Sequence, residues 1–178
     1  MNEESFGVPI AADAVRFERL LPGPIERVWA YLVEAEKRRR WFAGGPMDLR
    51  PGGKAELRFK HSELNDDPEP TPEAYKSIEN GHDAQGTILE VDPPRLLRYA
   101  WHDENTSSEV KFELIPEGDR VRLVLTHSLL RSSEERKNVS GGWHALLAML
   151  EDDLNGRTRR PFWTFQQQVS AAYQQRDL

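Results

Sequence analysis

Apolar and charged residues alternate in several stretches of the chain, and this period of two is typical of strands that bury one face. In the stretch 55–60, for example, Ala55, Leu57 and Phe59 alternate with charged residues. A further short strand is predicted at 47–49. Turn residues at 116–119 join the last two stretches into a predicted hairpin. The alternating stretches are 15–18, 55–60, 85–91, 96–102, 110–114 and 121–126.

A helical pattern of apolar residues follows Pro24, a residue that is well placed in the first turn of a helix. The spacing puts these residues on one stripe of the predicted helix. A second, shorter helical piece is predicted at 34–40, directly before the aromatic pair Trp41 and Phe42. The stripe consists of Ile25, Val28, Trp29 and Leu32.

The last third of the chain is predicted to be helical. Ser132 and Ser133 are suitable capping residues, and Glu134 and Glu135 supply the early acidic charge that favours a helix start. Gly156 predicts the end of this long helix. A final short helix is predicted after Pro161. The apolar face of the long helix consists of Trp143, Leu146, Leu147, Leu150 and Leu154.

The order of strand, helix, strands and helix, with neighbouring strands joined by short turns, predicts an α+β fold. We expect a flexible leader at 1–12 and a single domain at 13–178. The segment 62–81 contains three prolines and several acids and interrupts the strand pattern. A loop of this length is usually functional or mobile, so it is either a lid over a cavity or a tolerated surface insertion.

Composition narrows the function classes. The 178 residues carry a net charge of −6 and include no cysteine. The acidic balance argues against a nucleic-acid surface, and the basic run at 37–40 is predicted to be a solvated helix face. Without cysteine there are no disulfides and no cysteine-ligated metals. A signal peptide and an apolar run of the ~20 residues that a membrane helix needs are both absent. We therefore expect a cytoplasmic protein with no membrane insertion.

Short motifs follow the predicted elements in a fixed order, at 24–29, 41–42, 86–94, 97–101, 123–127 and 141–143. Examples are the turn and strand at 92–101, with Tyr99 and Trp101, and the Gly141-Gly142-Trp143 triplet. This ordered set resembles the START-like, helix-grip superfamily, also called SRPBCC. Within it, the chain is similar to the group related to the C-terminal domain of the heat-shock-chaperone ATPase activator. The resemblance covers roughly 13–173.

The resemblance implies an antiparallel sheet of six to seven strands wrapped around the long C-terminal helix, with two short helices closing one end and a cavity between sheet and helix. Members of this superfamily include lipid carriers, plant hormone receptors, polyketide cyclases and chaperone activators, so the fold does not select one function. The chaperone activator has a separate N-terminal domain for which this chain has no room, which argues against chaperone activation.

If the apolar faces point inward, aromatic and aliphatic side chains line the expected cavity. His127 shares the face of two inward leucines, so it is the main polar candidate for orienting a ligand or for acid–base work. The alternative is that these residues only fill the core and that His127 is a structural residue whose ring nitrogens are hydrogen-bonded within the protein. The predicted ligand-binding residues are Trp41 and Phe42 at the mouth, with Phe59, Tyr99, Trp101, Phe112, Leu123, Leu125, His127, Trp143 and Leu147 in the wall.

Other kinds of site have little support. The five histidines are scattered, with no His-Glu-x-x-His pair, so we predict no metal and no cofactor. No Gly-x-Ser-x-Gly elbow is present, and we assign no catalytic residue. His144 is predicted to lie on a different helix face from Trp143.

The leading hypothesis is a carrier or sensor of a small hydrophobic ligand whose polar end faces His127 or Tyr99. It requires a void of roughly 300 Å³ between sheet and helix. The alternative is a cyclase- or hydrolase-like enzyme in the same cavity, with His127 as acid or base. A polar partner of His127 that is open to the cavity would favour the enzyme.

A third hypothesis is a module that binds a chaperone or regulator through an exposed apolar patch at 162–165. In that case the partner would be a protein and not a small hydrophobic molecule, and a homodimer is also compatible with the sequence. The simpler expectation is that 162–165 packs back onto the domain.

Overall fold

The computed structural model describes residues 2–102 and 106–178. Its strands form an antiparallel seven-stranded sheet in the order β1-β2-β7-β6-β5-β4-β3. This is the curved α+β helix-grip arrangement that the sequence predicts. The strands are β1 Val8–Ala11, β2 Ala14–Pro22, β3 Lys54–Phe59, β4 His82–Asp92, β5 Leu96–His102, β6 Ser107–Glu117 and β7 Arg120–Ser128.

The longest helix in the described part of the chain packs on the inner face of this sheet, where it contacts β2. Its N-terminus is capped by Ser132, whose hydroxyl accepts a hydrogen bond from the amide of Glu135. Gly156 lies just past its C-terminus with a φ of 67°, a conformation that glycine adopts without strain. The predicted start and end are thus confirmed. The helices are α1 Ile25–Val33, α2 Ala35–Arg38, α3 Ser133–Leu154 and α4 Phe162–Gln174.

Strand alternation separates the two faces of the sheet. In β7, Val121, Leu123, Leu125 and His127 are buried, and the residues between them are partly exposed. The hairpin of β6 and β7 is confirmed, with Glu117 paired to Arg120 across a tight turn. The predicted strand at 47–49 is reduced to a single bridge between Met47 and Ala55.

The N-terminal residues include a strand that the sequence analysis did not predict. β1 lies within the predicted leader 1–12 and pairs with β2 at the sheet edge. The hydroxyl of Tyr173 on α4 accepts a hydrogen bond from the amide of Gly7 at 2.8 Å. Arg176 lies over the ring of Phe6 at 3.6 Å and forms an ion pair with Glu3. Residues 3–11 therefore pack against both the sheet edge and α4, while the flexibility of this segment stays a prediction.

The prediction that 37–40 is a solvated helix face is wrong at one residue. Arg38 is only 1% exposed. Its Nε donates to the carbonyl of Ala43 at 2.9 Å and its Nη1 to the carbonyl of Val33 at 3.0 Å. Its Nη2 donates to the carbonyl of Gly45. An arginine fork can satisfy several carbonyls that a chain reversal leaves without amide donors. Arg38 thus fixes the bend between α2 and β3.

The segment 62–81 is attached to the start of α4. The carboxylate of Glu69 accepts hydrogen bonds from the amides of Trp163 and Thr164, both at 2.7 Å. The ring of Tyr75 stacks on that of Trp163 with centroids 4.6 Å apart. Asp66 forms an ion pair with Arg159 at 2.6 Å. These contacts match a packed insertion more closely than a free lid, and whether the segment moves stays a prediction.

The apolar residues at 162–165 pack back onto the domain, as the simpler expectation had it. Phe162 and Trp163 are buried. Among the described residues, no helix is both long enough and apolar enough to cross a membrane.

Candidate functional site

A pocket of about 320 Å³ opens between the inner face of the sheet and the first half of α3. Trp101 on β5 pairs with Ser108 on β6, so both side chains project from the same face as His127. Residues 135, 139, 142, 143 and 146 approach from α3 at helical spacing. The lining consists of His82, Asp83, Ala84, Trp101, His102, Ser108, His127, Leu130, Glu135, Val139, Gly142, Trp143 and Leu146.

The structure brings together three of the predicted ligand-binding residues, Trp101, His127 and Trp143, in the wall of this pocket. The other eight do not line it and are buried in the core. They are Trp41, Phe42, Phe59, Tyr99, Phe112, Leu123, Leu125 and Leu147. Their contact with a ligand stays a prediction.

Trp41 and Phe42 lie inside the core and not at the mouth of the pocket. The ring of Phe42 is 5.0 Å from that of Trp143 and 5.7 Å from that of Trp101. The motif at 41–42 therefore supports two walls of the pocket from the core side. Tyr99 is fully buried, burial raises the pKa of its hydroxyl, and that hydroxyl has no hydrogen-bond partner among the described residues.

His127 joins the sheet to α3 through two hydrogen bonds. The indole Nε1 of Trp143 donates to its Nδ1 at 2.9 Å. Its Nε2 lies 2.8 Å from the hydroxyl oxygen of Ser108. Because an indole N–H can only donate, Nδ1 carries no proton, and in the neutral ring the proton is on Nε2. His127 therefore donates to Ser108, and the hydroxyl proton of Ser108 is left to bind another acceptor.

Burial keeps His127 neutral. It is 4% exposed, and desolvation lowers its pKa from 6.5 to about 4, although the charge of Glu135 opposes this shift. Desolvation also lowers the pKa of His61 to about 4 and that of His144 to about 3. His144 lies on another face of α3, as predicted, where it contacts the hydroxyl of Tyr173.

These shifts predict that the protein becomes less stable in mild acid. Between pH 6.5 and pH 4 the unfolded chain protonates His61, His127 and His144, while these three residues stay largely neutral in the folded chain, so the free energy of unfolding falls as the pH is lowered. Each such histidine contributes a slope of up to about 1.4 kcal/mol per pH unit. Urea unfolding of wild type and His127→Gln across this range measures the contribution of His127. Glutamine can keep both hydrogen bonds but does not titrate, so equal slopes would contradict the assignment.

Three important pocket residues were missed by the sequence analysis. Ser108 lies two residues before Val110 in β6. Because side chains two residues apart project from the same face of a strand, continuing the alternation of 110–114 backward places Ser108 on the inner face. Glu135 was assigned only to the helix start, although it lies eight residues before Trp143 and so shares its helix face. Gly142 was noted only as part of a motif.

No group of three or more potential ligands that could hold a metal ion occurs in residues 2–102 and 106–178.

Solved structures with the same fold resemble this chain. A Bordetella parapertussis protein solved by NMR is 45% identical, with a TM-score of 0.83, and the match covers 97% of this chain and 90% of that chain. CalU16 from Micromonospora echinospora is 25% identical, with a TM-score of 0.67, and the match covers 90% of this chain and 86% of that chain.

DynU16, a protein in the dynemicin biosynthetic locus, is 18% identical, with a TM-score of 0.62. The match covers 84% of this chain and 50% of that chain, and at this identity it supports the fold alone. No protein with a curated description matches the chain.

Residues 22–155 match the family described as Activator of Hsp90 ATPase homolog 1-like protein. This match covers most of the chain, from the end of β2 to the end of α3, and includes every residue named above as lining the pocket. The resemblance inferred from the sequence motifs is thereby confirmed. The chain belongs to the Activator of Hsp90 ATPase homolog 1-like family of the helix-grip superfamily.

Proposed function

We propose that this protein binds a small, largely apolar molecule with one hydrogen-bonding group in the pocket between the sheet and α3, and that it does so in the cytoplasm. The family supports a ligand-binding domain in general terms. The pocket volume of about 320 Å³ lies at the lower end of the ~300–1,000 Å³ that is usual for small-molecule sites. A ligand of one or two fused rings fits this volume.

The observation that carries the proposal is the arrangement of Trp143, His127 and Ser108. The indole N–H of Trp143 and Nδ1 of His127 form a hydrogen bond with each other, so neither of these two buried polar atoms needs a ligand as its partner. The hydroxyl of Ser108 accepts from His127 and lines the pocket, with its own proton available. A ligand carbonyl, ether or hydroxyl oxygen can accept that proton while its apolar body contacts Trp101 and Trp143.

The enzyme alternative has one observation in its favour. Ser108 is a polar partner of His127 and is open to the pocket, which is the arrangement expected of a reactive pair. However, a general base must present an unprotonated nitrogen to the hydroxyl, and the indole of Trp143 places the proton of His127 on the nitrogen that faces Ser108. A neutral imidazole in this tautomer orients the serine but does not activate it. Ligand binding without chemistry is therefore the preferred proposal.

The chaperone hypothesis receives less support, because the candidate patch at 162–165 is largely buried against Tyr75 and the neighbouring segment. A homodimer stays a separate proposal to be tested by the mass of the native protein in solution.

Gly142 offers a direct test of the pocket. It lines the pocket, and a β-carbon added there would meet no atom within 4 Å apart from its chain neighbours and the backbone of its own helix. Gly142→Leu should therefore fill the pocket without disturbing the helix, and should weaken binding of the neutral probe 2-naphthalenemethanol at least about tenfold. Binding is followed by NMR through the indole N–H signal of Trp143. Native mass spectrometry of the purified protein checks for a molecule that is already bound.

Gly142→Ala is the control, since it adds one methyl group and should retain most of the binding. Either substitution replaces glycine inside a helix and should raise stability by roughly 0.5–1 kcal/mol, which separates pocket blocking from misfolding. If Gly142→Leu folds and binds the probe as wild type does, the ligand does not occupy this pocket and the proposal fails.

A further inference from the structure

We propose that the pocket selects ligands that carry an amine or another positively charged group over ligands that carry a carboxylate, and that Glu135 is the residue responsible. This inference rests on the proposed function and names the chemical class of its ligand. It distinguishes the pocket from a carrier site for fatty acids or other anionic lipids, which would place a carboxylate near Glu135.

The position of Glu135 carries the inference. It lies on α3 two helical turns before Trp143, on the face that lines the pocket. The carboxylate is close enough to His127 for its charge to act on the imidazole. Ser108 is bonded to the same imidazole at 2.8 Å. A ligand bound to Ser108 therefore has its remaining polar group within the field of Glu135.

The acidic and basic side chains in the described part of the lining are unevenly distributed. Glu135 and Asp83 are acidic, and neither lysine nor arginine is among the lining residues. The strand register places Asp83 opposite Arg58, which is exposed and faces away from the core, so Asp83 does not point into the pocket and lies beside a positive charge. His127 is neutral and cannot compensate a ligand carboxylate. An anion in this pocket would be repelled without gaining an ion pair.

Among the described residues, the contacts to the Glu135 carboxylate involve one of its two oxygens. Its Oε2 accepts from the amide of Arg131 at 2.6 Å and lies 3.4 Å from the guanidinium Nε of the same residue. No hydrogen bond to Oε1 is formed among the described residues. The Arg131 side chain is 65% exposed, so solvent screens its charge and this ion pair offsets the charge of Glu135 only in part.

The ligand class follows from these groups together. Its body is apolar, to match Trp101, Trp143, Val139 and Leu146. It has an oxygen that accepts from Ser108, or an N–H or ammonium group that donates to Glu135, or both. An ammonium group on a bicyclic aromatic body is the simplest molecule that uses the pocket walls and the free carboxylate oxygen.

Three probes with one ring system test the inference: 2-naphthylmethylamine, 2-naphthalenemethanol and 2-naphthoic acid, each titrated at pH 7 with the Trp143 indole signal as the readout. We expect the amine to bind about tenfold more tightly than the alcohol, the usual order for one partly exposed charged hydrogen bond. The acid should bind more weakly than the alcohol. In Glu135→Gln the preference for the amine over the alcohol should disappear.

Glu134→Gln is the matched control, because Glu134 is the exposed neighbour that does not line the pocket and its replacement removes the same charge. This variant should keep the preference for the amine. If the three probes bind equally well, or if the acid binds best, the inference is wrong while the binding proposal stands. If none of them shifts the Trp143 signal at millimolar concentration, the binding proposal and the inference fail together.

Discussion

Replacing Arg38 by methionine is expected to lower the free energy of unfolding by about 4 kcal/mol, because buried carbonyls left without a donor cost roughly 1–3 kcal/mol each. Arg38 donates to carbonyls on both sides of the bend that follows α2, including those of Val33 and Ala43. Burial lowers its pKa to about 10, so the guanidinium is still charged at neutral pH. Methionine fills a similar volume but supplies no donor. Urea unfolding followed by circular dichroism measures the loss.

Arg39→Met is the control for this experiment. Arg39 is the next residue, its side chain is half exposed, and it makes an exposed ion pair with Glu36. Its replacement should change the free energy of unfolding by no more than about 0.5 kcal/mol, as is usual at the surface. Equal losses in the two variants would mean that the carbonyls around Arg38 find other donors.

Trp143→Ala should cost about 3–5 kcal/mol, the usual range when a buried aromatic side chain is truncated in a packed core. Trp143 is 3% exposed. Its ring centroid lies 5.0 Å from that of Phe42 and 5.9 Å from that of Phe112. The indole also donates to His127, which would lose its only donor at Nδ1. Thermal and urea unfolding measure the loss of stability, and the probe titrations measure the loss of binding.

Two further variants separate packing from hydrogen bonding at this position. Trp143→Phe keeps most of the packed ring but removes the N–H donor, so it should cost about 1–2 kcal/mol, the order of one buried acceptor left unsatisfied. Trp101→Ala removes an indole of the same size that is partly exposed, and it should cost less than Trp143→Ala. If Trp101→Ala proves the more damaging, the core is centred on β5 and not on α3.

Much of the fold could be predicted because its elements are marked by local patterns. The alternation in β7, the turn before it and the cap at Ser132 each depend on neighbouring residues, and each was predicted. The strand β1 could not be found this way. All four of its residues are exposed, so it has no buried face to produce an alternation, and it forms because β2 offers a free edge.

The site was harder to predict than the fold, because a pocket depends on which inward residues fail to fill the space. Alternation places Leu123, Leu125 and His127 on one face equally well, yet only His127 borders the pocket. The two leucines come earlier in β7 than His127, and both are fully buried. The burial of Arg38 was missed for a related reason, since its carbonyl partners come together only after the chain reverses direction.

The contact between Gly7 and Tyr173 also bears on the order of folding. It joins residues that are 166 positions apart in the chain. Closing so long a loop costs more chain entropy than closing the tight turn between β6 and β7, and contacts of large sequence separation form slowly. We therefore expect the hairpins and α3 to assemble first, and the first strand and last helix to join at the end. On unfolding, the same two elements would be the first to separate.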